Sequence, residues 1–156
     1  MLRKTFFSIG LVLAFLLASC APLLPPVSTD LPAGLVPDKR VVGYFAQWAA
    51  ERGYFASHIP AEKITHINYA FSNVSEAGEC ILGDPAADVE RVYSAAESVS
   101  GKADSDEAAA LHGNFHQLEE LKAKYPYLKV LISIGGWSWS ENFSNAALTE
   151  ASRQAF

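Results

Sequence analysis

The segment from Leu128 to Trp139 restricts the fold more than any other part of the chain. It reads Leu-Lys-Val-Leu-Ile-Ser-Ile-Gly-Gly-Trp-Ser-Trp. Val130, Leu131, Ile132 and Ile134 make a short, nearly continuous apolar run, the pattern of a strand buried on both faces of a parallel sheet. Towards its C-terminal end stand Ser133, Gly135, Gly136, Trp137 and Trp139. Paired glycines weaken a strand unless the chain must turn sharply or something must approach the backbone closely. Ligands of α/β folds bind at that end of the strands, and a broad aromatic face suits a ring-shaped or sugar-like ligand. An ordinary strand-to-helix turn, with the tryptophans as lids on the core, is the other reading. This window alone does not separate the two.

The remaining sequence supplies partners for such a strand. At 156 residues, 50% hydrophobic and 19% charged, the composition is that of a globular domain. Strands are predicted at Arg40–Trp48 and Ile64–Val74, with a short helical turn at Ile59–Lys63 between them. Helices are predicted at Ala86–Val99 and Phe115–Tyr125. The second puts Phe115, Leu118 and Leu121 on one face, has Asn114 as N-cap with Gln117 three residues on, and stops at Pro126. A further helix begins within Ala146–Phe156. Alternating strands and helices imply right-handed crossovers and a parallel sheet.

Ahead of this domain the pattern changes. Arg3 and Lys4 precede an apolar run, Phe6 to Ala18, which is too short to span a bilayer comfortably and reads as a signal peptide over residues 1–19. Leu17-Ala18-Ser19-Cys20 resembles the lipobox of bacterial lipoproteins, in which the cysteine is lipidated; a plain secretory signal with Cys20 incidental is the alternative. Both readings make the protein exported, and the first anchors it to a membrane through lipid. Residues 20–39 hold five of the eight prolines (Pro22, Pro25, Pro26, Pro32 and Pro37), the composition of an extended tether. Without the leader's Arg3 and Lys4 the balance is 10 cations to 17 acids, a charge of -7. That leaves no electrostatic footprint for nucleic acid.

Strand parity adds an expectation about the site. If Tyr44 points into a barrel, Val42 and Ala46 do too; Ile67 and Tyr69 accompany Phe71, and Leu131 and Gly135 accompany Ser133. Tyr44, Phe71 and Ser133 would then converge at the C-terminal rim, leaving His66 and Asn68 towards the helices. A bulge would undo this placement.

Three segments in order carry a resemblance: Val42-Gly-Tyr-Phe45, His66-Ile-Asn-Tyr-Ala-Phe71, and Leu131-Ile-Ser-Ile-Gly-Gly-Trp137 running on to Ser144. Together they resemble the first three barrel strands of glycoside hydrolase family 18, the bacterial chitinases above all, and Ser133-Ile-Gly-Gly136 fits that family's S-x-G-G motif. Gly83–Asp88 and Gly113–Leu118 resemble it as well. The resemblance implies a (β/α)8 TIM barrel, of which about the first three β/α units are present in residues 40–156. It implies cleavage of β-1,4 bonds between N-acetylglucosamine units with retention, the substrate's own 2-acetamido oxygen acting as nucleophile. The implied partner is chitin or another N-acetylglucosamine oligosaccharide, with no cofactor and no metal. Tyr44 and Ser133 would support the catalytic carboxylates, Phe71 would line the pocket of the cleaved sugar beside Gly135 and Gly136, and Trp137 would stack on the neighbouring sugar.

The family's acid lies in a D-x-x-D-x-D-x-E motif, which this sequence does not contain. Its glutamate is expected beyond Phe156, and residues 40–156 are expected to be a truncated, inactive and poorly soluble portion, since a complete barrel takes ~250 residues. Asp84 and Asp88 read as loop or helix-start acids, and Glu141 as a surface or rim residue. His112 and His116 are four apart, but Gly113 and Asn114 interrupt the helix a metal pair would need. Cys80 reads as a buried thiol or as the partner of a cysteine elsewhere. Trp48 and Tyr54 could edge a sugar groove, although Tyr54 fits loop or core packing better. Two further functions stand beside the glycosidase: a non-catalytic N-acetylglucosamine-binding barrel, and a solute-binding lipoprotein of doubly wound fold.

Overall fold

A computed structural model describes residues 39–105 and 110–156. The expected signal peptide, Cys20 and nearly all of the tether lie outside them. Three parallel strands form the sheet: β1 (Val42–Ala46), β2 (His66–Val74) at the centre, and β4 (Lys129–Ile134) on its other side. A two-residue strand, β3 (Cys80–Ile81), pairs antiparallel with the end of β2. Helix α1 (Gly113–Lys124) connects β2 and β3 to β4, and two short helices follow, α2 (Phe143–Ala147) and α3 (Glu150–Ala155).

The apolar alternation of the strands decides which face is covered. Phe45, Ile67 and Tyr69 are buried against Leu118 and Leu121 of α1, with Tyr127 and Leu128 completing the core. Each such side chain stabilises the fold by roughly 1.5–3 kcal/mol through burial. The opposite face carries Val42, Tyr44 and Leu131, which are 49%, 68% and 48% exposed. Among the described residues α1 packs on one face of this sheet, whereas a doubly wound fold carries helices on both. Among the described residues β1 and β4 each have one neighbouring strand, β2.

Several sequence expectations are corrected. Register pairs Tyr44 with Asn68 and Asn68 with Leu131, so His66 and Asn68 share the bare face while Ile67 and Tyr69 face the helix. The inversion has a physical origin: register shifts between Ala70, opposite Ser133, and Ser72, opposite Ile134. Phe71 is the extra residue of this bulge, so parity counted back from it inverts. The segment Ala86–Val99 is not one helix but a single π-type turn, Ala86–Glu90, followed by irregular chain. Asn114 is not an N-cap; His112 takes that position, and Asn114 and Gln117 are buried. Asp88, expected in a solvated or capping role, is fully buried. The final helix is broken by Thr149, whose hydroxyl accepts from the Ser152 N–H and restarts it as α3. Cys80 is exposed, not buried, and forms no disulfide among the described residues.

Candidate functional site

The C-terminal ends of β1, β2 and β4 bring aromatic rings together. After β1 the chain enters a 3-10 turn, Gln47–Arg52, which places Trp48 over the end of β2. Its ring stacks on Phe71 at 6.4 Å between centroids and 26° between planes. After β4 come Gly135 and Gly136, with φ of 90° and 84°, a region L side chains avoid. Space is short there as well: a Cβ on Gly135 would clash at 2.6 Å with the Phe143 ring, and one on Gly136 would press on the Phe71 ring at 3.2 Å. The paired glycines therefore let the backbone descend onto Phe71. The Gly135 N–H donates to the Ser72 carbonyl at 2.8 Å, and the Ser140 hydroxyl to the Gly136 carbonyl at 2.6 Å. The result is a shallow pocket of about 150 Å³ lined by Trp48, Phe71, Gly135, Trp137, Ser138 and Trp139. Trp137 is fully exposed at its edge.

Four of the residues expected to bind ligand (Phe71, Gly135, Gly136 and Trp137) thus lie together. Tyr44 and Ser133 share the bare face of the sheet, Ser133 level with Ala46 across β2 and Tyr44 two residues earlier on β1. Neither hydroxyl has a hydrogen-bond partner among the described residues. Glu141 is exposed. Asp84 accepts from the N–H groups of Ala86 and Ala87 and so holds the π-type turn. His116 lies 3.6 Å from Asp104 and 3.7 Å from Glu120, and no group of three metal-ligating side chains occurs among the described residues. Tyr54 packs its ring on Phe45. A larger apolar cleft of about 560 Å³, lined by Phe115, Leu118, Val130 and Ile132, lies on the helix side, away from the strand-end aromatics.

Behind the pocket lies a polar network that sequence reasoning missed. The Asp88 carboxylate accepts from the Tyr69 hydroxyl and, at 3.1 Å each, from the N–H groups of Gly83 and Asp84. Asn114 donates to the Tyr69 hydroxyl and to the Gln47 carbonyl, both at 3.0 Å, and accepts from the Tyr93 hydroxyl at 2.6 Å. Satisfying every member in this way is what makes burial of a carboxylate tolerable. Burial, reinforced by the hydrogen bond to Asp88, holds the Tyr69 phenol far above the usual tyrosine range. Burial likewise pushes Tyr93 up to about 12. The available signal was the set of polar residues within otherwise apolar or helical runs, Tyr69 and Asn114 among them.

Comparison with known proteins identifies the lineage. Residues 40–156 match the model of glycosyl hydrolases family 18. The chain belongs to this family. Its relatives include chitinase C of Streptomyces lividans, 47% identical over 115 residues, which cover 70% of this chain and 18% of that protein. Chitinase A1 of Niallia circulans is 30% identical over 98% of this chain and 24% of its own length. The catalytic domain of chitinase B from Arthrobacter TAD20 superposes with a TM-score of 0.71 at 42% identity, covering 84% of this chain and 34% of that one. The chain therefore spans between about a fifth and a third of these chitinases, and its parallel sheet is part of a TIM-barrel-type α/β fold.

Proposed function

We propose that the chain contributes the first strands of a chitinase barrel and that its strand-end pocket holds N-acetylglucosamine units of a β-1,4-linked chain. The observation that carries this reading is the aromatic pocket itself: Phe71 under Gly136, flanked by Trp48 and Trp137. Flat apolar rings match the faces of pyranose rings at low entropic cost. In this reading Phe71, Gly135 and Gly136 border the sugar that is cleaved, and Trp137 stacks on its neighbour. Tyr44 and Ser133, on the bare face below, hydrogen-bond to the carboxylates that orient the 2-acetamido group. That group's oxygen attacks the anomeric carbon, displacing the leaving oxygen as a glutamate protonates it; water then opens the resulting ring, with net retention.

No carboxylate among the described residues lines the pocket, so the proton donor is proposed to come from outside residues 39–156, and these residues alone to bind but not cleave. Residues 1–19 are proposed to direct export, Cys20 to carry lipid that tethers the protein to the cell envelope, and 20–39 to act as spacer. A second reading, a sugar-binding relative without activity, is favoured by the same absence of a pocket carboxylate among the described residues.

The test is hydrolysis of an N-acetylglucosamine oligomer by the full-length gene product, with the anomer of fresh product followed by NMR. The β-anomer is expected. Binding without cleavage selects the lectin, and the α-anomer contradicts substrate assistance.

A further inference from the structure

The bulge in β2 raises a question of hydrogen bonding. An extra residue in one strand has no ladder partner, yet a half-buried N–H must find an acceptor. Phe71 is that residue. Its N–H donates to Gln47 Oε1 at 3.2 Å. Gln47 is only 6% exposed, unusual for an uncharged polar residue in a 3-10 turn at a sheet edge. Its backbone is fixed in turn, because its carbonyl accepts from Asn114 Nδ2 at 3.0 Å, and Asn114 is fully buried. The other side of the Phe71 peptide is confined by Gly83. A Cβ there would overlap the Phe71 carbonyl oxygen and would also lie 2.8 Å from Gln47 Oε1.

We propose that Gln47 is a positioning residue: by accepting the orphan N–H of the bulge, it sets the Phe71 ring at the angle at which it forms the pocket floor. The buried network is the mount for that amide. Tyr93 and Tyr69 hold Asn114, Asn114 holds the Gln47 backbone, and the Gln47 side chain holds Phe71. Gln47 itself does not line the aromatic pocket, so it acts on ligand only through Phe71. The consequence for binding rests on the sugar-pocket reading given above; the mechanical claim does not.

Two measurements on the full chain separate them. The first is hydrogen exchange of the Phe71 amide by NMR, without ligand. Gln47→Met keeps length and removes the acceptor, and is expected to speed Phe71 exchange about tenfold, as loss of one hydrogen bond predicts, while Ile67 and Tyr69 keep their rates. Gln47→Glu, which retains an acceptor at the same reach, is expected to stay within threefold of the parent. Unchanged Phe71 exchange in Gln47→Met, or equal acceleration along all of β2, overturns the proposal. The second is affinity for an N-acetylglucosamine tetramer. Gln47→Met is expected to bind about tenfold more weakly, yet to change affinity less than twofold when Phe71 is already alanine. Additive losses would show that Gln47 acts elsewhere and overturn the proposal. Should Phe71→Ala leave affinity unchanged, the sugar-pocket reading fails while the exchange result still judges the mount.

Discussion

The two faces of the same three strands behave differently. On one, Phe45, Ile67 and Tyr69 are buried against α1; on the other, Val42, Tyr44 and Leu131 are about half exposed or more. Both sets are apolar or aromatic, so side-chain hydrophobicity alone does not determine burial. What differs is the cover: α1 packs over Ile67 and Tyr69 on one face while leaving Ile132 half exposed at the β4 edge, and on the other the cover reaches Ala70 but leaves Val42, Tyr44 and Leu131 open. The helix-side face bears the stability and holds the network that shapes the rim, while the bare face and rim carry the residues proposed to meet sugar.

Substitutions on the two faces should therefore have unequal effects on stability. The largest is expected at the network. Asp88→Ala leaves the Tyr69 hydroxyl and two backbone N–H groups without their acceptor, and at about 1–3 kcal/mol for each unsatisfied group the loss should reach roughly 3–5 kcal/mol in urea unfolding. Ile67→Ala, in the packed core, is expected to cost about 3 kcal/mol, within the usual range for such truncations. A difference under 1 kcal/mol between Ile67→Ala and Leu131→Ala would erase the contrast between the faces.

Alkaline pH gives the next effect. A phenol whose pKa is raised on folding stabilises the protein fully below the unfolded value and loses that contribution as pH rises through the folded one. For Tyr93 the window runs from about 10 to about 12, and about two pKa units correspond to roughly 2–3 kcal/mol. Stability should fall across this window. Tyr93→Phe should be less stable than the parent at pH 8 and fall less steeply. A parallel pH profile for the two would separate Tyr93 from the network. Smallest of all, Tyr44→Ser and Leu131→Ser on the bare face should change stability by at most about 0.5 kcal/mol, read from the same urea curves.

The sequence made the strands legible because β1, β2 and β4 are dense in apolar residues and bounded by polar or turn-forming ones. It made the paired glycines legible as a place where backbone must come close, and Gly136 over Phe71 shows what comes close. It misled where tertiary hydrogen bonding overrode local preference. Asn114 has the chemistry of an N-cap, but its amide is committed to Tyr69, Gln47 and Tyr93. The stretch Ala86–Val99 has helix-forming composition, yet Asp88 is drawn inward to Tyr69 and the Tyr93 N–H donates to Asp104 at 2.8 Å, so one turn forms and the rest follows those anchors. The position of the bulge mattered most, because one inserted residue exchanges the faces assigned to every side chain counted from it. Nothing in His66–Val74 marks where that insertion falls; the acceptor that accommodates it sits on another element, at Gln47.

The most direct test of the sugar-pocket reading is a titration of the isotope-labelled chain with the N-acetylglucosamine tetramer, followed by backbone and indole NMR shifts. The reading predicts saturable changes confined to Phe71, Gly135, Gly136 and the Trp48 and Trp137 indoles, with Val130 and Ile132 on the helix side unmoved. No change at the rim, or changes centred on the cleft beside α1, would contradict it.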